Sequence, residues 1–204
     1  VIINPAIYDW GIYLPNNPCK MIKRSKEPAP RLRVLEDDEY AKLLQACKEV
    51  DITYLQRAFV FSIETCIRQG ELLRAKWEHV NFKKHTLYIP DTKTGYLSKE
   101  ATSERTIPLS KLAIKTLNEL PRHISGNIFP ITRDQLSQKW KLAKRKAKIK
   151  NYRWHDNRST GISWCFEKKG LNVAEVMTIS GHKSPTILLK RYTKLNPSKI
   201  AMRI

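Results

Sequence analysis

No apolar run in this chain approaches the roughly 18 residues that a membrane-crossing helix needs, so nothing in it reads as a transmembrane span. The four cysteines, Cys19, Cys47, Cys66 and Cys165, form no Cys-x-x-Cys pair. That excludes a disulfide framework and a cysteine zinc site, and fits buried thiols in a reducing cytoplasm. No internal repeat or low-complexity block stands out, and carboxylates do not cluster in the way a divalent-cation site demands. Acids are scarce altogether, with 19 Asp and Glu against 38 Lys and Arg and a net charge of +19. Such an excess points to a polyanion. An anionic membrane surface would call for one strongly amphipathic basic helix, whereas here the charge is spread along the chain. DNA or RNA is thus favoured over a membrane, and a protein that is merely basic stays open, since charge excess alone names no partner.

The chain begins at Val1 and reads as a piece of a longer protein. Residues 1–14, with Ile2, Ile3, Ile7, Tyr8 and Trp10, resemble the C-terminal remnant of a preceding domain. Residues 15–33 hold Pro15, Pro18, Pro28 and Pro30 among lysines and arginines, and read as an extended basic linker rather than a helix. From residue 34 helical periodicity takes over. A helix is expected from Glu36, with Asp37 and Asp38 complementing its dipole and Tyr40, Leu43, Leu44 and Cys47 at helical spacing. A second is expected over 53–65, and a short third opened by Gly70. Residues 86–89 and 105–109 read as two antiparallel strands joined by a long polar loop. Ser110 then caps a helix reaching Leu120. Further helices are expected over 134–150, 156–169, 173–179 and 185–192. The fold class is thus α+β, mainly helical with a small antiparallel sheet.

The segment 134–150 places Leu136, Trp140, Ala143 and Ala147 on one stripe. Around it stand Lys139, Lys141, Lys144, Arg145, Lys146, Lys148 and Lys150. A charged helix face is usually only solvated. Seven cations uninterrupted by an acid favour phosphate contact instead.

A second group of residues carries chemistry. Arg68 precedes a helix-opening glycine, and its planar fork suits two oxygens of one phosphate, with Glu71 three residues on to hold it. Lys93, in Asp-Thr-Lys-Thr-Gly, is a flexible cation in the loop after a strand, with Lys99 as a rival. His155 and Arg158 stand three apart and share a helix face. His182 follows a turn glycine. Tyr192 ends a short helix, beside Arg191, and its phenol, with a pKa of about 10, becomes a nucleophile only where cations stabilise the phenolate. Each has an ordinary alternative: a surface ion pair, a solvated lysine, a histidine at a helix start or turn, a core tyrosine. Together they hold a nucleophile, proton donors and cations without a metal site.

The ordered set Arg68, Lys93, His155-x-x-Arg158, Gly181-His182, Tyr192 resembles the catalytic domain of the tyrosine recombinases, the phage-integrase family. The resemblance covers about residues 34–195 and leaves 196–204 as a C-terminal tail that a neighbouring protomer can receive. It implies that Arg68 and Arg158 clamp a scissile phosphate and that Lys93 protonates the departing 5′ oxygen. His155 then assists proton transfer, His182 bonds the phosphate, and Tyr192 forms a 3′-phosphotyrosyl link. Glu71 supports the first arginine. The resemblance also implies double-stranded DNA as the partner, a homo-tetramer assembled on it, no membrane, and no metal or other cofactor. Three departures stand out. Asn157 occupies a usual core leucine position and is expected to loosen its helix. Ser159 stands where a second histidine is common. The interval from His182 to Tyr192 is one residue longer than the family's usual one, with Lys190 as the apparent insertion. The competing classes are a non-catalytic architectural DNA binder and a metal-dependent nuclease built on Asp91 and Glu167.

Overall fold

A computed structural model of the chain describes residues 2–23, 31, 33–90 and 104–192, apart from the side chains of Ile187, Lys190, Arg191 and Tyr192. The chain forms two compact units, residues 1–31 and 32–204. In the first, helix α1 spans Ile3–Tyr8 and a single 3-10 turn spans Pro18–Met21. The 3-10 turn corrects the expectation that residues 15–33 are extended without helix. Pro18 sits in the first turn, where its missing N–H costs nothing, and the Asn17 side chain accepts the Cys19 N–H at 2.9 Å.

The second unit opens with α2, Asp37–Val50. Glu39 closes its first turn by accepting the Glu36 N–H at 3.2 Å, and Leu43, Ala46 and Cys47 face inward. Helix α3, Leu55–Thr65, is buried nearly all round because α2, α5, α6 and α7 surround it. It stops at Cys66, whose φ of 53° lies in the left-handed region. The short helix α4, Gln69–Arg74, follows.

Next comes a three-stranded antiparallel sheet of β1, Val80–Asn81, β2, Thr86–Ile89, and β3, Arg105–Pro108, in that order. The strand β1 went unread in the sequence because it is only two residues long. Leu87 pairs with Ile107 and Ile89 with Arg105, so Arg105 shares the face on which Ile107 is buried.

Helix α5, Lys111–Asn118, is capped by Ser110, whose Oγ accepts the Ala113 N–H at 3.1 Å. Helix α6 spans Arg133–Lys146 behind a Thr132/Gln135 capping box and buries Leu136, Trp140 and Ala143. It ends short of residue 150, since Lys148 adopts a φ of 57°. Helix α7 spans Asp156–Glu167, α8 Val173–Ser180 and α9 Pro185–Tyr192. Most buried side chains form one large core. A smaller one gathers Cys66, Ile162, Cys165, Val176, Ile179 and Leu188, and it seats α9 against α7 and α8.

The sequence of α7, Asp-Asn-Arg-Ser-Thr-Gly, reads as a surface, yet these residues are buried. Several of its polar groups find protein partners instead of water, as burial favours. Asn157 Nδ2 donates to Ser62 Oγ at 3.2 Å, the Tyr152 hydroxyl and Thr160 Oγ1 lie 2.9 Å apart, and Asp156 accepts the Arg153 N–H at 2.7 Å. Asn157 therefore does not loosen the helix by facing water. It ties α7 to α3 through a polar pair, and the loose end of that pair is its buried, unpartnered Oδ1.

Candidate active site

Arg68 is the residue before α4, extended at φ −73° and ψ 149°. Its Nη1 donates to Glu71 Oε1 at 2.9 Å, and its backbone N–H donates to Glu71 Oε2 at 3.0 Å. The spacing of three that suggested the pair in the sequence is what one helical turn supplies. The Arg68 side chain is still 43% exposed, whereas Glu71 is 9% exposed. Burial, the largest single influence on Glu71, raises its pKa. The hydrogen bonds and charge of Arg105 outweigh it, together with the N–H and charge of Arg68, and bring the carboxyl down to about 2.

Arg105 was not singled out in the sequence. Its Nη1 and Nη2 donate to Glu71 Oε1 and Oε2 at 2.9 and 2.8 Å, a two-point contact. The available signal was strand parity, since an arginine two residues before Ile107 lies on the inward face and so needs a carboxylate partner.

Arg158 lies one turn into α7 and is 4% exposed. Its Nη1 donates to the Cys66 carbonyl and its Nη2 to the Ser180 carbonyl, both at 2.6 Å. Cys66 is two residues before Arg68, and Ser180 is two before His182. Arg158 therefore brings the Arg68 loop and the His182 turn together. Burial, and then the charge of Arg68, lower its pKa to about 10. Both acceptors are carbonyls, and among the described residues no carboxylate sits directly on this buried cation. Arg68, Arg105 and Arg158 together face one carboxylate, Glu71, and the site keeps an excess of positive charge.

His182 follows Gly181, which closes α8 at a φ of 69°. Its Nδ1 lies 2.7 Å from Ser180 Oγ. His155 precedes α7, exposed, and its side chain makes no capping bond to the helix. Tyr192 is the last residue of α9, and its side chain lies outside the described residues, as does that of Arg191. Lys93, Lys99 and Asp91 also lie outside them. The strands flanking their loop are described, and the outgoing one begins with Arg105.

On α6, Lys139 pairs with Asp51, and Lys146 with Glu49 at 3.1 Å. The acids absent between Lys139 and Lys146 come from α2 and the residue after it. Lys141, Lys144, Arg145, Lys148 and Lys150 make no ion pair among the described residues, and all but half-buried Lys144 are exposed. Among the described residues no group of three or more His, Cys, Asp or Glu can hold a metal ion, and no helix is long and apolar enough to cross a membrane.

The phage integrase family model matches residues 33–199, which include the whole arginine and histidine set. This chain belongs to the phage integrase family. It is 32% identical over 203 residues to the shufflon-specific DNA recombinase of Escherichia coli, a match covering all of this chain and 50% of that protein. It is 29% identical over 199 residues to a putative integrase/recombinase of Haemophilus influenzae, covering 90% of this chain and 50% of that protein. The chain thus spans about half the length of the curated relatives it matches. Among solved structures, a lambda integrase dimer bound to a COC′ core site aligns with a TM-score of 0.69 at 22% identity, over 91% of this chain and 69% of that one. The helical fold with its small antiparallel sheet is the fold of this family.

Proposed function

We propose that this chain is the catalytic domain of a site-specific DNA recombinase, which breaks and rejoins strands through a phosphotyrosine. The observation that carries the reading is Arg158, a guanidinium buried at 4% exposure that donates to two carbonyls rather than to a carboxylate. A buried cation is costly unless an anion answers it. A phosphodiester between Arg158 and the exposed Arg68 fork is such an anion, and its two non-bridging oxygens match two planar donors. The relatives named as recombinases support the same reading.

In the proposed reaction the Tyr192 phenol oxygen attacks phosphorus, forming an O–P bond as the bond to the 5′ oxygen breaks. Lys93 gives that oxygen its proton, and His155 assists proton transfer. His182 bonds a non-bridging oxygen, while Arg68 and Arg158 stabilise the charge that grows on the pentacoordinate phosphorus. Religation is the reverse, a 5′ hydroxyl attacking the phosphotyrosine, so the bond energy is kept and no nucleotide cofactor is needed. The five cations on and just after α6 that make no ion pair among the described residues hold the duplex backbone. Exchange between two duplexes needs several active sites at once, for which a DNA-assembled homo-tetramer, with residues 196–204 docked on a neighbour, is the arrangement proposed.

The test uses a pool of randomised DNA duplexes, each carrying one nick, incubated with the protein and then denatured in SDS. A covalent protein–DNA adduct is expected, insensitive to chelator. Tyr192→Phe should abolish it while leaving DNA retention in a filter assay within about twofold. Binding without any adduct would instead favour an architectural protein, and cleavage lost on chelation a nuclease.

A further inference from the structure

Resting on the recombinase reading, we propose that Arg105 is a positioning residue for the reaction. It occupies Glu71 so that the Arg68 fork stays free for phosphate. An ionised carboxylate offers about four acceptor positions, and Glu71 uses four. Oε1 receives Arg68 Nη1 and Arg105 Nη1, and Oε2 receives the Arg68 backbone N–H and Arg105 Nη2. The two arginines divide the work by depth. Arg105 is 11% exposed and spends both terminal nitrogens on Glu71. Arg68 is 43% exposed and gives Glu71 only one side-chain nitrogen, Nη1.

Without Arg105, half of the Glu71 acceptor positions fall empty in a mostly buried place. The nearest donors able to fill them belong to Arg68, and a guanidinium beside an unshared carboxylate turns into two-point pairing. Arg68 would then face inward, where it cannot reach a phosphate. Displacement of a reacting group by about 1 Å can cost on the order of 100-fold in rate.

A second observation ties Arg105 to the opposite wall of the site. Its Nε is buried and without a partner. The ideal Cβ position of Gly181 lies 2.7 Å from that Nε and 2.8 Å from Cδ. The turn leading to His182 thus closes over the Arg105 side chain, and only glycine leaves room there. Arg105 therefore fixes the relation between the Arg68 loop and the His182 turn from below, as Arg158 does through the Cys66 and Ser180 carbonyls.

The decisive experiment is rescue. Adduct formation on the nicked duplex pool is timed for the parent, Arg105→Gln, Glu71→Gln and the double variant. In parallel, dimethyl phosphate is titrated into each protein without DNA, with the Arg68 Nε–H resonance as the readout. Arg105→Gln is expected to slow the adduct about 100-fold and weaken dimethyl phosphate binding. Adding Glu71→Gln removes the carboxylate that captures Arg68, and should restore about tenfold or more of both. A purely structural Arg105 would make the double variant worse than either single one. That result, or Arg105→Gln within about twofold of the parent, overturns the proposal. If Arg105→Gln does not fold, Arg105→Lys serves, since its ammonium cannot span both oxygens and should show a smaller loss with the same rescue. A parent that forms no adduct, yet keeps the dimethyl phosphate pattern across the four proteins, refutes the recombinase reading and leaves the role of Arg105 standing.

Discussion

A methyl group placed on Gly161 of α7 would stand 2.2 Å from the carbonyl oxygen of Ile63 on α3 and 2.9 Å from the Cys66 sulfur. The two helices therefore meet backbone to backbone, and Cys66, which accepts from Arg158, sits at the edge of the contact. Gly161→Ala must push α7 off α3. Overpacking of this kind costs about 1–3 kcal/mol or more. The variant should melt several degrees lower, and its adduct rate should fall, because Arg158 and Cys66 no longer keep their 2.6 Å contact. A melting temperature equal to the parent's would mean that the interface yields freely.

Glu71 links stability to pH. Its folded pKa of about 2 lies below the ordinary 4.5, so the stabilisation is present above the ordinary value and disappears as pH falls through the folded one. Denaturant titrations should show stability dropping between about pH 4.5 and 2, by an amount on the order of 3 kcal/mol from this group. Glu71→Gln should flatten that part of the curve, and an unchanged slope would place the linkage elsewhere.

The histidine turn offers a test of tautomer control. Ser180 is buried, and its Oγ lies 2.7 Å from His182 Nδ1. A hydroxyl donating there leaves the ring proton on Nε2, the form able to donate to a phosphate oxygen. In Ser180→Ala the nitrogen-15 shifts of His182 should show a smaller Nε2–H fraction. The adduct rate should fall by roughly tenfold or less, with binding of the nicked pool retained. Identical shifts in the two proteins would remove the serine from the account.

The cations of α6 divide into two groups that salt can distinguish. Each phosphate neutralised contributes about 0.9 to the slope of log affinity against log salt. Lys141→Ala and Arg145→Ala should each lower that slope by about 1 for duplex DNA. Lys146→Ala should lower it less, because Glu49 already answers that charge at 3.1 Å. Equal slopes for all three would mean that α6 does not meet the phosphate backbone.

Much of this architecture could be read from the chain alone because its signals are local. The Leu136, Trp140, Ala143 stripe, the Ser110 cap and the spacing of Arg68 and Glu71 each involve residues within two turns of one another. Helix α7 resisted because its partners are remote. Arg158 meets a carbonyl 92 residues upstream and another 22 downstream, and Asn157 meets Ser62, 95 residues away. A polar stretch whose partners come from such distances is indistinguishable, one residue at a time, from solvated surface. Arg105 was passed over for a related reason. Its importance lies in Glu71, 34 residues away, and only the alternation within β3 hinted that it turns inward. The Pro18–Met21 turn was hidden by a proline that occupies a tolerated position.

Cys66 and Ile67 are neighbours in the chain, yet the first belongs to the smaller core and the second to the larger. The segment entering Arg68 is thus a seam. Among the described residues, the core on the far side of it gathers six buried side chains, with Leu188 from α9. A described core so much smaller than the main one makes local release of that end cheap compared with melting the main body. Thermal or chemical stress should therefore part the tyrosine-bearing end from the guanidinium pair long before the scaffold itself gives way.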